Sequence, residues 1–377
     1  MKRKILMTPG PSPVPSFIRE SLAKEMIHHR TAEFQEILGE VHDGLKKVFC
    51  TNNPVLIISS SGTGAMEAAV SNLFSSGDKV VTICGGKFGE RWGEIAKSFQ
   101  LEVIEMNVPW GSAPNAEELD ELLSKNQDAK GVLTTLCETS TATVYDIKEI
   151  AKVVKGKSML LAVDAVSGLG QDFIDIDNWG IDAVVSGSQK GFMLPPGLGF
   201  ISLSAQAQKA AETSNLPKYY FNLKKALKSH AKNDTPFTPA VSLIVALREA
   251  LNSINKEGIV NRCQRYKKMA YAAREAAKSL NLSLFSKSPS NSVTAINAPV
   301  GIKSSGLVKS LRSDYGLSIA GGQAEAKDKI FRIAHMGWIN EQDLIGCFSL
   351  LEKVLKDAGH KFNIGASLMK LEEVFYG

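Results

Sequence analysis

Short apolar runs alternate with amphipathic segments over about the first 205 residues of the chain. Seven runs rich in aliphatic and β-branched residues predict strands, at 54–59, 79–84, 101–106, 131–136, 159–164, 182–187 and 200–204. Helical patterns lie between most of them, for example at 64–74 and 146–154. Strands that alternate with helices predict an α/β fold, in which helices cover both faces of a mainly parallel sheet.

The rest of the chain has a different pattern. A buried helix that begins at prolines is predicted at 236–254, followed by a long helix from about 257 to 280. Strand-like runs follow at 292–297 and 329–334, and the final helix is expected at about 341–359. We therefore expect an extended Pro-rich arm over 1–15, a large ligand-binding domain over 16–255 and a small α+β domain over 256–377.

Composition narrows the class of protein. A length of 377 residues suffices for two domains. The 44 Lys and Arg residues nearly balance the 39 Asp and Glu residues, and they form no basic run of the kind that is typical of nucleic-acid binding. The five cysteines are far apart and form no C-x-x-C pair, which is typical of reduced thiols. The apolar stretch near the start is too short for a secretory signal, and no run is long enough to cross a membrane. The expectation is a cytoplasmic protein.

Two residues at predicted strand ends suggest a specific chemistry. Lys190 lies on a turn after the run 182–187, and Asp164 ends the run 159–164. Ligands of parallel sheets bind beyond the carboxyl ends of the strands. Enzymes that use pyridoxal phosphate (PLP) need a lysine that forms a Schiff base and a carboxylate that keeps the pyridine nitrogen protonated. Alone, Lys190 reads as a solvated loop residue, but together the two residues favour a PLP site.

Three further segments follow predicted strands. In SSSGTGAMEAAV (59–70), the amides of Gly62 and Thr63 can face an anion at a helix N-terminus, or the segment is a plain strand–helix turn. Phe88 can stack on a flat ring or belong to the core. Thr139 and Ser140 can donate hydroxyl hydrogen bonds or cap a helix.

Charged residues leave more alternatives. Arg332, inside an apolar strand, can bind a carboxylate or form a structural ion pair. His28, His29 and Arg30 can be ordinary surface charges, and no metal site is expected there because adjacent histidines diverge. His335 is interpreted as structural.

Taken in order, these motifs resemble the class V (fold type I) PLP-dependent aminotransferases, and among them the alanine–glyoxylate and serine–glyoxylate or serine–pyruvate group. The resemblance spans nearly the whole chain, through the segments PGPSPVP, SGTGAME, ETST, VDAVSGLG, SGSQKGF, TPFTP and RIAHMG. It implies that the large domain binds PLP and that the protein is a homodimer with shared active sites.

The resemblance also implies a role for each site residue. Lys190 would form the Schiff base, Asp164 would pair with the pyridinium, Phe88 and Val166 would cover the two ring faces, and Thr139 would lie near the 3′-oxygen. The phosphate would be held by Ser61, Gly62, Thr63 and Gln189, together with Thr235 and Thr238 of the other subunit. Arg332 would bind the substrate α-carboxylate, and the substrate site would be completed by Gly10, His29 and Arg30, the last two reaching the partner's site. Three departures from the family concern substrate preference more than basic chemistry. Thr63 replaces a His of some mammalian members, Ala142 a common Gly, and Thr235 a Tyr of some members.

The expected activity is ping-pong transamination from alanine or serine to glyoxylate or pyruvate. If Arg30 binds a second carboxylate, aspartate or another dicarboxylate becomes the donor. A remote alternative is a non-catalytic assembly subunit, since the family has carried a hydrogenase-subunit label. Cysteine desulfuration is disfavoured because segment 318–332 has no cysteine. A nicotinamide-dependent dehydrogenase is disfavoured because the fingerprint glycine motif with its acidic residue is missing.

Overall fold

The computed structural model describes residues 4–377 and contains fourteen strands and fourteen α-helices in that range. The strands are β1 (Ile5–Leu6), β2 (Val55–Ile58), β3 (Lys79–Cys84), β4 (Glu102–Asn107), β5 (Gly131–Thr135), β6 (Cys137–Glu138), β7 (Thr143–Val144), β8 (Leu160–Asp164), β9 (Ala183–Gly187), β10 (Gly199–Leu203), β11 (Val293–Asn297), β12 (Leu317–Ser318), β13 (Ala320–Gly321) and β14 (Ile330–Ala334). The helices are α1 (Ser16–Leu22), α2 (Ala32–Phe49), α3 (Gly62–Leu73), α4 (Lys87–Ser98), α5 (Ala116–Ser124), α6 (Ile147–Lys155), α7 (Ile176–Trp179), α8 (Ala205–Thr213), α9 (Leu223–His230), α10 (Val241–Glu257), α11 (Ile259–Ser279), α12 (Ser304–Tyr315), α13 (Glu341–Asp357) and α14 (Ala366–Tyr376). A short 3₁₀ turn covers Ala324–Ala326.

The seven predicted strands form one central sheet with the order β2-β10-β9-β8-β5-β3-β4. Strand β10 is antiparallel to both of its neighbours, whereas the other neighbouring pairs are parallel. The predicted α/β fold with a mainly parallel sheet is thus confirmed. Because the parallel strands point the same way, the turns that follow them meet at one edge.

Both faces of the inner strands are buried, which explains why these strands read as continuous apolar runs, whereas the edge strand β4 is largely exposed. On β9, Val184 packs into a core with α2, α6 and α10, while Ala183 and Val185 face a second core with α3, α4 and α8. Alternate residues of a strand point to opposite faces, so a strand covered on both sides needs apolar residues at every position.

A third core lies in the C-terminal part, between α11, α12, α13, α14 and the strands β11 and β14. The arm contributes to it, because β1 pairs in parallel with β12 and the buried Met7 packs there. The boundary proposed at 255/256 falls in the last turn of α10, which ends at Glu257. The domain limits stay a prediction.

Two expectations for this part were wrong. The helix expected from residue 236 begins only at Val241, because Pro236 and Pro239 keep the preceding segment out of the helix. The chain also does not end with the helix at 341–357, since α14 follows it and packs against α11 and α13.

The five cysteines are all unpaired. From residue 4 onwards, no helix combines the length and apolar character needed to cross a membrane.

Candidate functional site

The candidate residues lie at or just beyond the ends of five strands, at the carboxyl edge of the sheet. Gly62 follows β2, Phe88 follows β3, Thr139 lies beyond β5 and directly after the short β6, Asp164 ends β8 and Lys190 follows β9. This is the edge at which open α/β sheets bind ligands. The sequence predicted this grouping from strand ends alone.

Lys190 is a buried amine that faces the arm. Its Nζ donates a hydrogen bond to the carbonyl of Pro9. Gly10 leaves room for it: a Cβ there would lie 2.5 Å from Lys190 Cε, and its φ of +123° favours glycine. Burial lowers the pKa of Lys190 to about 8, while the charge of Asp164 acts in the opposite direction.

Asp164 is a buried carboxylate at the end of β8, with 4% of its surface exposed. Its Oδ1 accepts a hydrogen bond of 2.8 Å from the backbone amide of Val166. Among residues 4–377, no cationic side chain lies within ion-pair distance of it. Burial therefore raises its pKa to about 6. Such a carboxylate favours a ligand that brings a positive charge.

The N-terminus of α3 forms a cradle beside these two groups. No acidic residue occupies its first turn, and the Ser61 side chain does not cap it. The first amides of a helix point outward at its positive end, where anions bind. A Cβ on Gly62 would lie 2.5 Å from Val166 Cγ2, so only glycine allows this close approach. Gln189 Oε1 is buried near the same amides and has no hydrogen-bond partner in the described part of the chain.

Phe88 is fixed by a residue that the sequence reasoning did not single out. Glu138, fully buried, accepts hydrogen bonds from the amides of Phe88 (3.0 Å) and Gly89 (2.9 Å) at the start of α4. Burial raises the pKa of Glu138. Arg91, also not anticipated, lies 4.7 Å from the centre of the Phe88 ring and donates to Thr63 Oγ1 at 3.2 Å. The signal for Glu138 was an acidic residue two positions after the apolar run 131–136.

Arg332 comes to the same edge from β14. Its Nη1 donates to the Thr139 carbonyl at 2.7 Å, and its Nε and Nη2 donate to the Gly321 carbonyl at 3.1 and 2.8 Å. No carboxylate lies within ion-pair distance of it between residues 4 and 377, so the structural ion pair is not observed. Burial lowers its pKa to about 10. Neutral carbonyls orient this cation and leave its charge available to an anionic ligand.

The remaining predicted residues form a separate, more exposed group. Thr235 and Thr238 lie on the loop before α10 and line a shallow pocket beside the end of β2. Arg30, next to His29, forms an ion pair with Asp234 and donates to the Thr235 carbonyl at 2.8 Å. The contact of these residues with a second subunit stays a prediction.

The buried residues fit PLP in their chemistry. Lys190 offers an amine, Asp164 an unpaired carboxylate for a protonated ring nitrogen, and the start of α3 a phosphate cradle. Phe88 and Val166, both half-buried, can cover the faces of a planar ring.

Comparisons with known proteins agree with this chemistry. The model of the family described as aminotransferase class-V matches residues 17–339. A protein of Synechococcus sp. (strain PCC 6716), named soluble hydrogenase, small subunit, is 41% identical over 99% of this chain and 98% of its own length. The L-aspartate–glyoxylate aminotransferase of Paracoccus denitrificans is 33% identical over 98% of this chain and 95% of its own.

Among solved structures, the alanine–glyoxylate aminotransferase of Nostoc sp. is similar to this one with a TM-score of 0.90 and 27% identity, over 94% of this chain and 96% of that chain. The family model covers far more than half of the sequence, and the similarity to the Nostoc structure gives the chain the fold of the fold type I PLP enzymes. The chain therefore belongs to the class V aminotransferases, a family of enzymes that use PLP.

Proposed function

We propose that this protein is a PLP-dependent transaminase that moves the amino group of alanine or serine to glyoxylate or pyruvate in two half-reactions. The observation that carries the proposal is the meeting of Lys190, Asp164 and Arg332 at one sheet edge, where all three are buried and none is ion-paired with the described residues. The name of the Nostoc protein, alanine–glyoxylate aminotransferase, supports a small donor.

Several residues would hold the cofactor. The amides of Gly62 and Thr63, with Ser61 and Gln189 beside them, would bind its phosphate at the positive end of α3. Phe88 and Val166 would pack on its ring, and Thr139 would lie at its edge, where its hydroxyl now donates to Ser167 Oγ at 2.6 Å. When bound, PLP would supply an aldehyde that condenses with amines and a ring that accepts electrons from the substrate Cα.

The chain's own groups would move and hold the protons. Because burial lowers the pKa of Lys190 to about 8, a useful fraction of its Nζ is neutral near physiological pH. That neutral amine would take the proton from the substrate Cα and later return it. Asp164, as a carboxylate, would hold a proton on the ring nitrogen and so stabilise negative charge that develops at Cα.

Arg332 would orient the substrate by binding its α-carboxylate through the planar fork of the guanidinium. All amino acids share this group, so Arg332 does not select the donor. A dicarboxylate donor is a second candidate, favoured by the name of the Paracoccus relative. It needs a second cation, and Arg30 is held by Asp234 in its own chain.

The name of the Synechococcus relative, a hydrogenase subunit, favours the alternative that this chain is a non-catalytic assembly subunit. A protein without catalysis has no need of a buried lysine, carboxylate and arginine that lack ion-pair partners. Burial of such groups opposes folding. Their presence supports catalysis in this chain.

The proposal includes a cytoplasmic homodimer, in which Thr235 and Thr238 complete the phosphate site of the other subunit, and His29 and Arg30 its substrate site. Gly10, which lies against Lys190 of its own chain, would border the substrate. Sedimentation velocity with and without PLP tests the dimer. Fully active monomers would contradict it.

The first experiment follows each half-reaction separately. Protein loaded with PLP is mixed with alanine, serine, aspartate or glutamate, and the visible absorption of the bound cofactor is recorded over time. Rapid loss of the band with alanine or serine, reversed by glyoxylate or pyruvate, is expected. The matched control is Lys190→Ala, which should stop both half-reactions because it removes the amine that moves the proton.

Faster conversion by aspartate or glutamate would replace the small donor by the dicarboxylate alternative. A protein that develops no cofactor absorption would contradict the proposal as a whole. Full turnover by Lys190→Ala would contradict the role of Lys190.

A further inference from the structure

Three consecutive backbone carbonyls around Lys190 accept hydrogen bonds from parts of the chain outside the central sheet. The Ser12 amide donates to the Gln189 carbonyl at 2.9 Å, and the Ser12 hydroxyl donates to the Lys190 carbonyl at 2.9 Å. Arg262 Nη2 donates to the Gly191 carbonyl at 2.8 Å. The turn that carries the amine is thus held from the arm on one side and from α11 on the other.

The arm contact is itself enclosed by the loop after β14. Ser12 is 2% exposed, and a Cβ on Gly337 would lie 2.7 Å from the Ser12 side chain and 3.1 Å from the Lys190 carbonyl. Gly337 has a φ of +74°, and its carbonyl accepts a hydrogen bond from the Tyr266 hydroxyl of α11. Ser12 therefore has little freedom to move away from the turn.

The contact from α11 is fixed by an ion pair. Arg262 is 2% exposed, and its Nη1 lies 2.9 Å from Glu257 Oε2 while Nη2 reaches Gly191. Glu257 also binds Arg265, whose Nε lies 2.5 Å from Oε1. Arg265 resembles Arg262 in its helix and its carboxylate partner, but the hydrogen bonds of Arg265 do not include the Lys190 turn.

The far side of the turn is closed as well. A Cβ on Gly191 would lie 2.6 Å from the Leu169 carbonyl and 2.8 Å from Gln171 Nε2. At Gly191 the turn therefore lies directly against the segment 169–171.

We propose that Ser12 and Arg262 are positioning residues for the Lys190 amine, which they fix by holding the carbonyls of residues 189–191 from outside the sheet. The inference rests on the proposed role of Lys190. The lysine side chain is long and flexible, so the place of its amine depends on how firmly its backbone is held. Misplacement of a reacting group by about 1 Å can slow a reaction about a hundredfold.

The test compares Ser12→Ala and Arg262→Met with Arg265→Met as the matched control. Ser12→Ala removes one donor to the turn and leaves the arm in place. Arg262→Met removes the donor to Gly191, while Arg265 still neutralises Glu257. Arg265→Met removes a cation from the same carboxylate without touching the turn. Ser12→Ala keeps the test decisive if Arg262→Met does not fold.

Two readouts separate positioning from general damage. In the half-reaction with the preferred donor, Ser12→Ala and Arg262→Met should lower the maximal rate about tenfold or more. The donor concentration that gives half of this rate should not change, because Arg332 is untouched. In the apoprotein, trace acetylation with acetic anhydride across pH, followed by peptide mass spectrometry, reports the pKa of Lys190. A pKa of about 8 in the original protein should rise by about one unit in both variants, as the freed turn lets water reach the amine.

Arg265→Met should match the original protein in both readouts. Unchanged rates and labelling in Ser12→Ala and Arg262→Met would overturn the inference, as would equal shifts in Arg265→Met. If the original protein binds no PLP, or Lys190→Ala retains turnover, the proposed function has failed instead.

Discussion

Two regions of this molecule bury charge in opposite ways. At the junction of α10 and α11, Glu257 binds both Arg262 and Arg265 at ion-pair distances. At the candidate site, Lys190 and Arg332 are oriented by backbone carbonyls, and Asp164 by a backbone amide. Between residues 4 and 377 no ion pair satisfies these three groups.

The difference has a physical meaning. A buried charge without a counter-charge destabilises the folded chain, whereas a paired one is largely compensated. At the junction of α10 and α11, the counter-charge comes from the chain itself, because Glu257 binds both arginines. The site instead suits ligands that bring the missing charges, a carboxylate for Arg332 and a cation for Asp164. The binding edge and the ion-pair cluster thus differ in where the compensating charge comes from, a ligand in the first case and the chain itself in the second.

After Lys190→Ala, the largest effect is expected from Arg332→Gln, which removes the second unpaired cation of the site. Loss of two charge-assisted hydrogen bonds to a substrate carboxylate should lower kcat/KM by about a hundredfold to a thousandfold. Steady-state kinetics with the preferred donor measures this, and the cofactor absorption should remain. The control is Arg274→Gln, since Arg274 is a half-buried arginine of α11 that donates to the Ser290 carbonyl, and its loss should leave the kinetics unchanged. Equal losses in both variants would contradict the assignment.

The unpaired carboxylate predicts a pH dependence of cofactor binding. Because burial raises the pKa of Asp164 to about 6, the apoprotein carries a protonated Asp164 below that pH and must release the proton to pair with a cation. The affinity for PLP should therefore weaken by up to about tenfold for each pH unit below 6.

Equilibrium titration between pH 5 and 8 measures this affinity, with Asp164→Asn as the reference that lacks the carboxylate. The phosphate of PLP titrates identically in both proteins, so the difference between their slopes isolates Asp164. Parallel slopes would show that Asp164 does not change its charge on binding.

The paired region should respond through stability. Glu257→Gln leaves the buried Arg262 without its counter-charge, which should lower the free energy of unfolding by about 1 to 3 kcal/mol. The exposed pair of Lys353 and Asp357 provides the control, since Asp357→Asn should change it by less than about 0.5 kcal/mol. Urea denaturation of the apoproteins compares the two. If Glu257→Gln were as mild as Asp357→Asn, the junction would not be the compensated cluster described above.

The site edge was more accessible to sequence reasoning than the contacts that hold it. Strand ends are local signals, so Lys190, Asp164 and the start of α3 could be predicted to meet. Ser12 and Lys190 are 178 positions apart, and Arg262 and Gly191 are 71 apart. Such contacts depend on how the arm and α11 pack on the sheet, which no local pattern encodes. Whether Arg332 forms an ion pair could not be predicted from the sequence either, because this depends on which side chains the fold places around the guanidinium.

The elements of the fold also differ in how well local sequence patterns predict them. The seven strands of the central sheet were predicted within one residue at every end, because burial on both faces leaves continuous apolar runs in the inner strands. The start of α10 was misplaced, since proline fits both a first helical turn and the loop that precedes it. The short strands β1 and β12 gave no periodic signal, as two residues are too few for an alternation.

The smallest effect concerns a charge pair that is neither buried nor free. Arg30 and Asp234 have side chains 40% and 30% exposed, so their mutual attraction is weak. If Arg30 can bind a second substrate carboxylate, Asp234→Asn should release it and raise the ratio of kcat/KM for aspartate over alanine by up to about fivefold. The asparagine can still accept the hydrogen bond from the Thr235 amide, which limits disturbance of the loop. Arg30→Gln should change the ratio in the opposite direction. A ratio that stays constant in both variants would mean that Arg30 serves only to hold the loop, and that the donor is selected without a second cation from this pair.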